Sequence, residues 1–177
     1  GVFAGNLWGS STIADTNCYY GACGITENAG TAGEKTEEDF KNISDNYRKN
    51  KIPLDALYMD IDYMEDYESF TINRKNLPHF EELVQSMKND GIHLVPIIDA
   101  GIKVKKGYRV YDEGIKEDRF CKDKDGNNFK CGVWPGYCHF VDVLNPDNRK
   151  WFGKQYKYLL DKGIDGFWND MNEPSIF

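Results

Sequence analysis

The chain has 177 residues, enough for one compact domain but short of the roughly 250 of a complete eight-stranded α/β barrel. Its formal charge is −7, with Lys and Arg dispersed rather than gathered into a patch, so no nucleic-acid partner is expected. No apolar run reaches the ~18 residues of a spanning helix, and the opening Gly-Val-Phe-Ala lacks the basic start of a signal peptide, so no membrane partner is expected either.

The five cysteines (Cys18, Cys23, Cys121, Cys131 and Cys138) are odd in number and form no C-x-x-C pair. A disulfide framework is therefore not indicated, and a reducing cytoplasm is the expected setting. Cys121, Cys131, Cys138 and His139 match no common zinc spacing, so neither a metal nor a cofactor is expected.

Residues 1–35 are rich in Gly, Ala, Ser, Thr and Asn without a sustained period, and read as a poorly specified N-terminal segment. At Thr36-Glu37-Glu38-Asp39 a capping box opens a helix carried by Phe40, Ile43 and Tyr47, which should end near Asn50. Leu54 to Asp62 is a mostly apolar run ending in acids, the pattern of a buried parallel strand. Phe80, Leu83, Val84 and Met87 mark a second helix, stopped by Asn89-Asp90-Gly91. His93 to Asp99 is a second buried strand, although Pro96 cannot donate to a ladder.

Residues 100–145 form a long charged excursion. Phe120-Cys121 and Phe129-Lys130-Cys131 flank a turn at Asp125-Gly126-Asn127-Asn128 and predict a hairpin there. After Asn145-Pro146 a third helix carries Trp151, Phe152, Tyr156, Leu159 and Leu160 and stops at Gly163, and Gly166 to Met171 is a final strand. Strands alternating with helices predict a parallel sheet with crossover helices.

Three of these strands finish in carboxylates: Asp60 (with Asp62), Asp99 and Asp170. Parallel strands of a barrel deliver their C-terminal ends to one face, where sites are built. Three acids on one rim, with Trp134 and Trp168 nearby in sequence, suit carbohydrate chemistry; a divalent-metal site is the competing reading, and ordinary capping acids are the bland one.

The segment Gly166-Phe167-Trp168-Asn169-Asp170-Met171-Asn172-Glu173-Pro174 resembles the nucleophile signature of glycoside hydrolase family 31, the α-glucosidase and α-xylosidase family. Tyr58-Met59-Asp60-Ile61-Asp62-Tyr63-Met64, Ile97-Ile98-Asp99-Ala100-Gly101 and Val133-Trp134-Pro135-Gly136 match in the same order, and the likeness runs over residues 36–177. It is nearest to bacterial cytoplasmic α-glucosidases.

The resemblance implies a partial (β/α)8 TIM barrel, about the first four β/α units, truncated after the nucleophile strand. The family's Arg-Trp-containing first strand aligns here with Gly30-Thr31-Ala32-Gly33, so that strand is in doubt. It implies retaining hydrolysis of terminal α-linked glucose, with Asp170 attacking the anomeric carbon. Asp60, with Ile61 beside it, would bind distal hydroxyls of the sugar; Ile97, Trp134, Trp168 and Met171 would wall the pocket; Glu173 would orient its neighbours. The family's acid/base aspartate lies on a later strand, so residues 1–177 alone should not turn over. The expected partners are an α-glucoside oligosaccharide and either the remainder of the barrel or a second copy covering the open strand edges. An α-xylosidase or lyase of the same family, and a non-catalytic sugar-binding or structural fragment, remain alternatives.

Overall fold

The computed structural model describes residues 36–176. The expected N-terminal segment, with Cys18, Cys23 and the doubtful first strand, lies outside the described residues. Helix α1 spans Glu37–Lys49. Its start is the capping box read from the sequence: the Asp39 N–H donates to Thr36 Oγ1 at 3.2 Å, and Asp39 Oδ2 accepts from the Thr36 N–H at 2.8 Å. Phe40 is its buried anchor.

Strand β1 (Ala56–Met59) follows, then helix α2 (Phe80–Asn89) and strand β2 (His93–Asp99). The four apolar residues at helical spacing in α2 are all buried. At the other end of the chain, helices α4 (Pro146–Gln155) and α5 (Lys157–Leu160) lead to strand β6 (Trp168–Asp170). These strands form one parallel sheet in the order β1–β2–β6. Three parallel strands, each preceded by a helix, are thus present among the described residues.

Central β2 reads as a continuous apolar run because helices and loops cover both its faces. Pro96 sits at its last rung with β1 (Met59↔Pro96), one residue before its first rung with β6 (Ile97↔Trp168). At that handover its missing N–H costs the ladder least. Leu57, Met59, Leu77, Phe80, Leu94, Ile98 and Phe167 meet in the core beside the sheet.

Several elements differ from expectation. The first strand is four residues long rather than nine, because Asp60 turns the chain: its Oδ1 accepts from the Ile61 N–H at 2.7 Å and caps a 3-10 turn over Ile61–Tyr63. The last strand stops at Asp170 because Met171 has φ +56°, outside the β region. The single third helix is two pieces meeting at Tyr156, whose ring lies edge-on to Phe70, Phe152 and Phe167. Leu160, expected in its core face, is about half exposed.

In the excursion, strands β3 (Gly101–Lys103), β4 (Cys131–Val133) and β5 (Gly136–Phe140) form an antiparallel sheet in the order β3–β5–β4, with helix α3 (Arg109–Lys116) between β3 and β4. The regular hairpin is therefore β4–β5, closing at Trp134-Pro135 through the Val133↔Gly136 rung. The predicted hairpin around Asp125 also forms, as a short one: the Phe129 N–H donates to the Cys121 carbonyl and the Asp123 N–H to the Asn127 carbonyl, each at 2.8 Å, around a Lys122↔Asn128 bridge. Its shape comes from Asp123 Oδ1, which accepts from the N–H groups of Asp125 (2.8 Å) and Asn127 (2.9 Å).

Gly114 lets α3 approach the rest of the core, since a Cβ there would sit 2.3 Å from the ring of Phe120. Gly114→Ala is expected to destabilise the fold by about 1–3 kcal/mol through overpacking. A urea midpoint that does not move would show that Phe120 turns aside freely.

Candidate active site

The ends of the three parallel strands meet. Asp170 is the last residue of β6 and Asp99 the last of β2, and the two are Cα partners in the ladder. Rung partners on parallel strands project to the same side of the sheet, so both carboxyls enter one space. Asp60, just past β1, reaches the same space: its charge acts on Asp99, and that of Asp170 acts on both.

Burial differs among the three. Asp99 is 2% exposed and Asp170 7%, whereas Asp60 is only partly buried. Burial raises all three pKa values, because a carboxylate loses its hydration. Asp99 moves furthest, to about 7, first through burial and then through the charges of Asp170 and Asp60. Asp60 and Asp170 are each pulled back by a backbone N–H, from Ile61 and Met171 respectively. Among the described residues, both oxygens of Asp99 and Oδ1 of Asp170 are sealed from solvent without a hydrogen-bond partner.

The apolar residues predicted for the pocket divide by position. Ile97 is buried and is the rung partner of Trp168, which packs edge-on against Tyr58 with ring centroids 6.3 Å apart. Ile61 opens the turn that Asp60 caps. Met171 is buried among Cys131, Val133, Cys138 and Phe140, the residues that seat the excursion on the sheet. Trp134, at the tip of that hairpin, is 51% exposed. Glu173 is exposed, accepts from Ser175 Oγ at 3.1 Å, and its charge raises Asp170.

The residues that fix the strand ends were missed in the sequence. Tyr63 donates its hydroxyl to the Ile97 carbonyl at 2.8 Å, and Ser69 Oγ donates to the Asp99 carbonyl at 2.8 Å. Tyr108, from the excursion, donates to the Ser69 carbonyl at 2.6 Å. All three residues are buried. Nothing in the sequence marks them: Asp62 precedes Tyr63, Glu68 precedes Ser69 and Arg109 follows Tyr108, so their neighbours give no sign of burial.

A cleft of about 530 Å³ lies elsewhere, between α3 and α4, and none of the strand-end acids lines it. Its polar residues serve one another: Arg109 donates to Gln155 at 2.5 Å, and Arg119 to Glu117 at 2.8 Å. Among the described residues no three His, Cys, Asp or Glu side chains are grouped to hold a metal ion. The geometry thus defines a three-stranded parallel α/β sheet whose strand ends gather acids beside apolar and aromatic side chains.

Residues 22–177 match the family described as the glycosyl hydrolases family 31 TIM-barrel domain, and the chain belongs to that family. Alpha-glucosidase 2 of Bacillus thermoamyloliquefaciens is 43% identical over 143 residues, covering 81% of this chain and 18% of that protein. The crystal structure of a DNJ-bound glucosidase II alpha subunit superposes with a TM-score of 0.75 at 34% identity, covering 80% of this chain and 16% of that one. The family 31 alpha-glucosidase of Bacteroides thetaiotaomicron gives 0.70 at 42% identity, covering 76% and 23%. The chain spans about a fifth of the length of the curated relatives it matches, 18% of the Bacillus protein.

Burying Asp99 gives stability a definite pH dependence. Its folded pKa of about 7 lies above the ordinary 3.8, so its contribution is fully present below the unfolded value and is lost as pH rises through the folded one. Between about pH 4 and pH 8 the loss is on the order of 3 kcal/mol. Thermal melts should show Tm falling over that range, and Asp99→Asn should flatten the fall. Identical slopes in the two proteins would count against a neutral, buried Asp99.

Proposed function

We propose that this chain is the first part of the catalytic barrel of a retaining α-glucosidase, with Asp170 as its nucleophile. The observation that carries this reading is the placement of Asp170. It is the last residue of a barrel strand, inside the Trp168-Asn169-Asp170-Met171 segment, at the focus of two further acids.

A carboxylate suits the role because it is ionised near neutral pH, forms an ester with C1, and stabilises positive charge on the way. Asp60, nearer solvent and anchored by the Ile61 N–H, is placed to accept hydrogen bonds from distal hydroxyls of the sugar. In this reading Ile61 and Trp168 offer apolar surface for its C–H faces, buried Ile97 and Met171 back the pocket wall, and Trp134, exposed at the hairpin tip, adds a further aromatic face. Glu173, exposed and hydrogen-bonded to Ser175, orients the loop after the nucleophile. The α-glucosidase names of the relatives support glucose as the sugar. We place the enzyme in the cytoplasm, where the free thiols of Cys131 and Cys138 would stay reduced.

Retention requires a second carboxyl about 5–5.5 Å from the nucleophile to protonate the leaving oxygen. In this reading that group comes from a later strand of the same barrel. Residues 1–177 on their own are then expected to leave p-nitrophenyl α-glucoside intact. In the complete polypeptide that carries them, Asp170→Ala should lower kcat by about 10⁴-fold or more. Mass spectrometry after incubation with 5-fluoro-α-D-glucosyl fluoride should place the label on Asp170; a label on any other residue would overturn the assignment.

A further inference from the structure

The geometry points to Asp99 as a positioning residue for the nucleophile: a neutral carboxylic acid, held by β2, that donates a hydrogen bond to the buried oxygen of Asp170. This deepens the reading of Asp170 as nucleophile and rests on it.

Three observations carry it. The two residues are Cα partners on adjacent parallel strands, so their side chains leave the sheet on the same side. Among the described residues Asp170 Oδ1 is sealed from solvent with no donor, and both oxygens of Asp99 are sealed in the same way. The main chain of Asp99 is also pinned, since Ser69 Oγ holds its carbonyl at 2.8 Å and Tyr63 holds that of Ile97 at 2.8 Å. An ionised pair on neighbouring rungs, both sealed from solvent and each feeling like charge, would hold two carboxylates out of water with nothing to offset the cost. One proton shared between them removes the repulsion and satisfies two of the three orphaned oxygens, Oδ1 of Asp170 and one of Asp99. It belongs on Asp99, the more deeply buried of the two and the one raised to about 7.

The groups facing Asp99 leave this assignment intact. They are Asp60 after β1, Tyr63 in the 3-10 turn, Cys138 on β5 and Asp170 on β6. Burial holds the Tyr63 hydroxyl well above its ordinary value and pushes the Cys138 thiol up to about 12, so both stay neutral. The remaining charges are the carboxylates of Asp60 and Asp170, and each favours a proton on Asp99.

In the covalent step the other oxygen of Asp170 supplies the electron pair for the new bond to C1. The bond from C1 to the leaving group breaks, and that group departs with the bonding pair. Asp99 keeps its proton throughout and holds the Asp170 carboxyl in the plane from which it attacks. Loss of that proton at higher pH would turn a donor into a second anion beside the nucleophile.

The test is the rate at which 5-fluoro-α-D-glucosyl fluoride labels Asp170 in the complete polypeptide, measured across pH. Fluoride leaves without needing a proton, so the rate follows the nucleophile and its neighbour rather than the acid/base. In the unsubstituted protein the rate should fall above about pH 7 as Asp99 ionises. Asp99→Ala should label at least about tenfold more slowly, the loss expected for one charge-assisted hydrogen bond. Asp99→Asn retains a donor but cannot ionise; it should recover part of that rate and lose the fall at high pH. The role is overturned if Asp99→Ala labels at the unsubstituted rate, or if Asp99→Asn keeps the same alkaline fall. Should Asp99→Ala not fold, the Asn profile decides alone, because a purely architectural role would not move it. Label on a residue other than Asp170 in the unsubstituted protein sinks the nucleophile reading itself, and this role with it.

Discussion

The pairing of β2 with β6 is the constraint on which the site depends. Three rungs, Ile97↔Trp168, Ile98↔Asn169 and Asp99↔Asp170, set two carboxyls side by side at the end of a sheet. Side chains alternate faces along a strand, so a slip of one residue would send Asp170 to the other face and leave Asp99 buried alone. The alignment is held at its end by hydroxyls rather than by more ladder. Tyr63 and Ser69 occupy the carbonyls of Ile97 and Asp99, and Tyr108 occupies that of Ser69. The chain thus fixes the site where the strands stop and ladder bonds run out.

The charged excursion explains how so short a sheet keeps its acids dry. Its antiparallel sheet seats Cys131, Val133, Cys138 and Phe140 around Met171, directly after Asp170. Gly101 permits the close approach, since a Cβ there would lie 2.6 Å from Val133. Its other tie is electrostatic: Lys105 Nζ lies 2.6 Å from Glu68 Oε1, and Glu68 is buried in the loop after β1. Breaking one partner of such a pair strands a buried charge, so the tie sets where the excursion sits more than it adds net stability. Charges that look in the sequence like a solvated loop therefore include some that anchor the cover of the site.

Legibility in the sequence followed the physics of each element. The box at Thr36, the four-residue stripe of α2 and the apolar run of β2 are local patterns, and each appears with nearly the expected bounds. The first and last strands are shorter than their hydropathy predicts, because a carboxyl capping the next turn and a left-handed Met171 act on the backbone without changing the hydropathy. The short hairpin at the Gly-Asn turn is legible from its turn residues, whereas the β4–β5 hairpin at Trp134-Pro135 is not, since its strands are only three and five residues long. Asp60, Asp99 and Asp170 were legible as strand-end acids. Which of them lies deepest was not, because depth depends on what the excursion and the loop after β1 lay over each one.

That depth and the backbone donors together divide the labour among the three acids. A carboxylate is held in its charged form by N–H groups and by water, and the three sites supply these unequally. Asp60 has the Ile61 N–H and the nearest access to solvent; Asp170 has the Met171 N–H. Among the described residues Asp99 has no backbone donor, it is shut off from solvent, and it faces both of the other charges. The Asp170 N–H donor comes from the residue that leaves the β region, so the left-handed turn at Met171 has an electrostatic consequence as well as a geometric one. A non-glycine residue in that conformation costs on the order of 1 kcal/mol and persists only where its surroundings impose it. Here the buried packing of Met171 against the excursion imposes it, so the fold of residues 100–145 bears on the charge of the carboxyl that we assign as nucleophile.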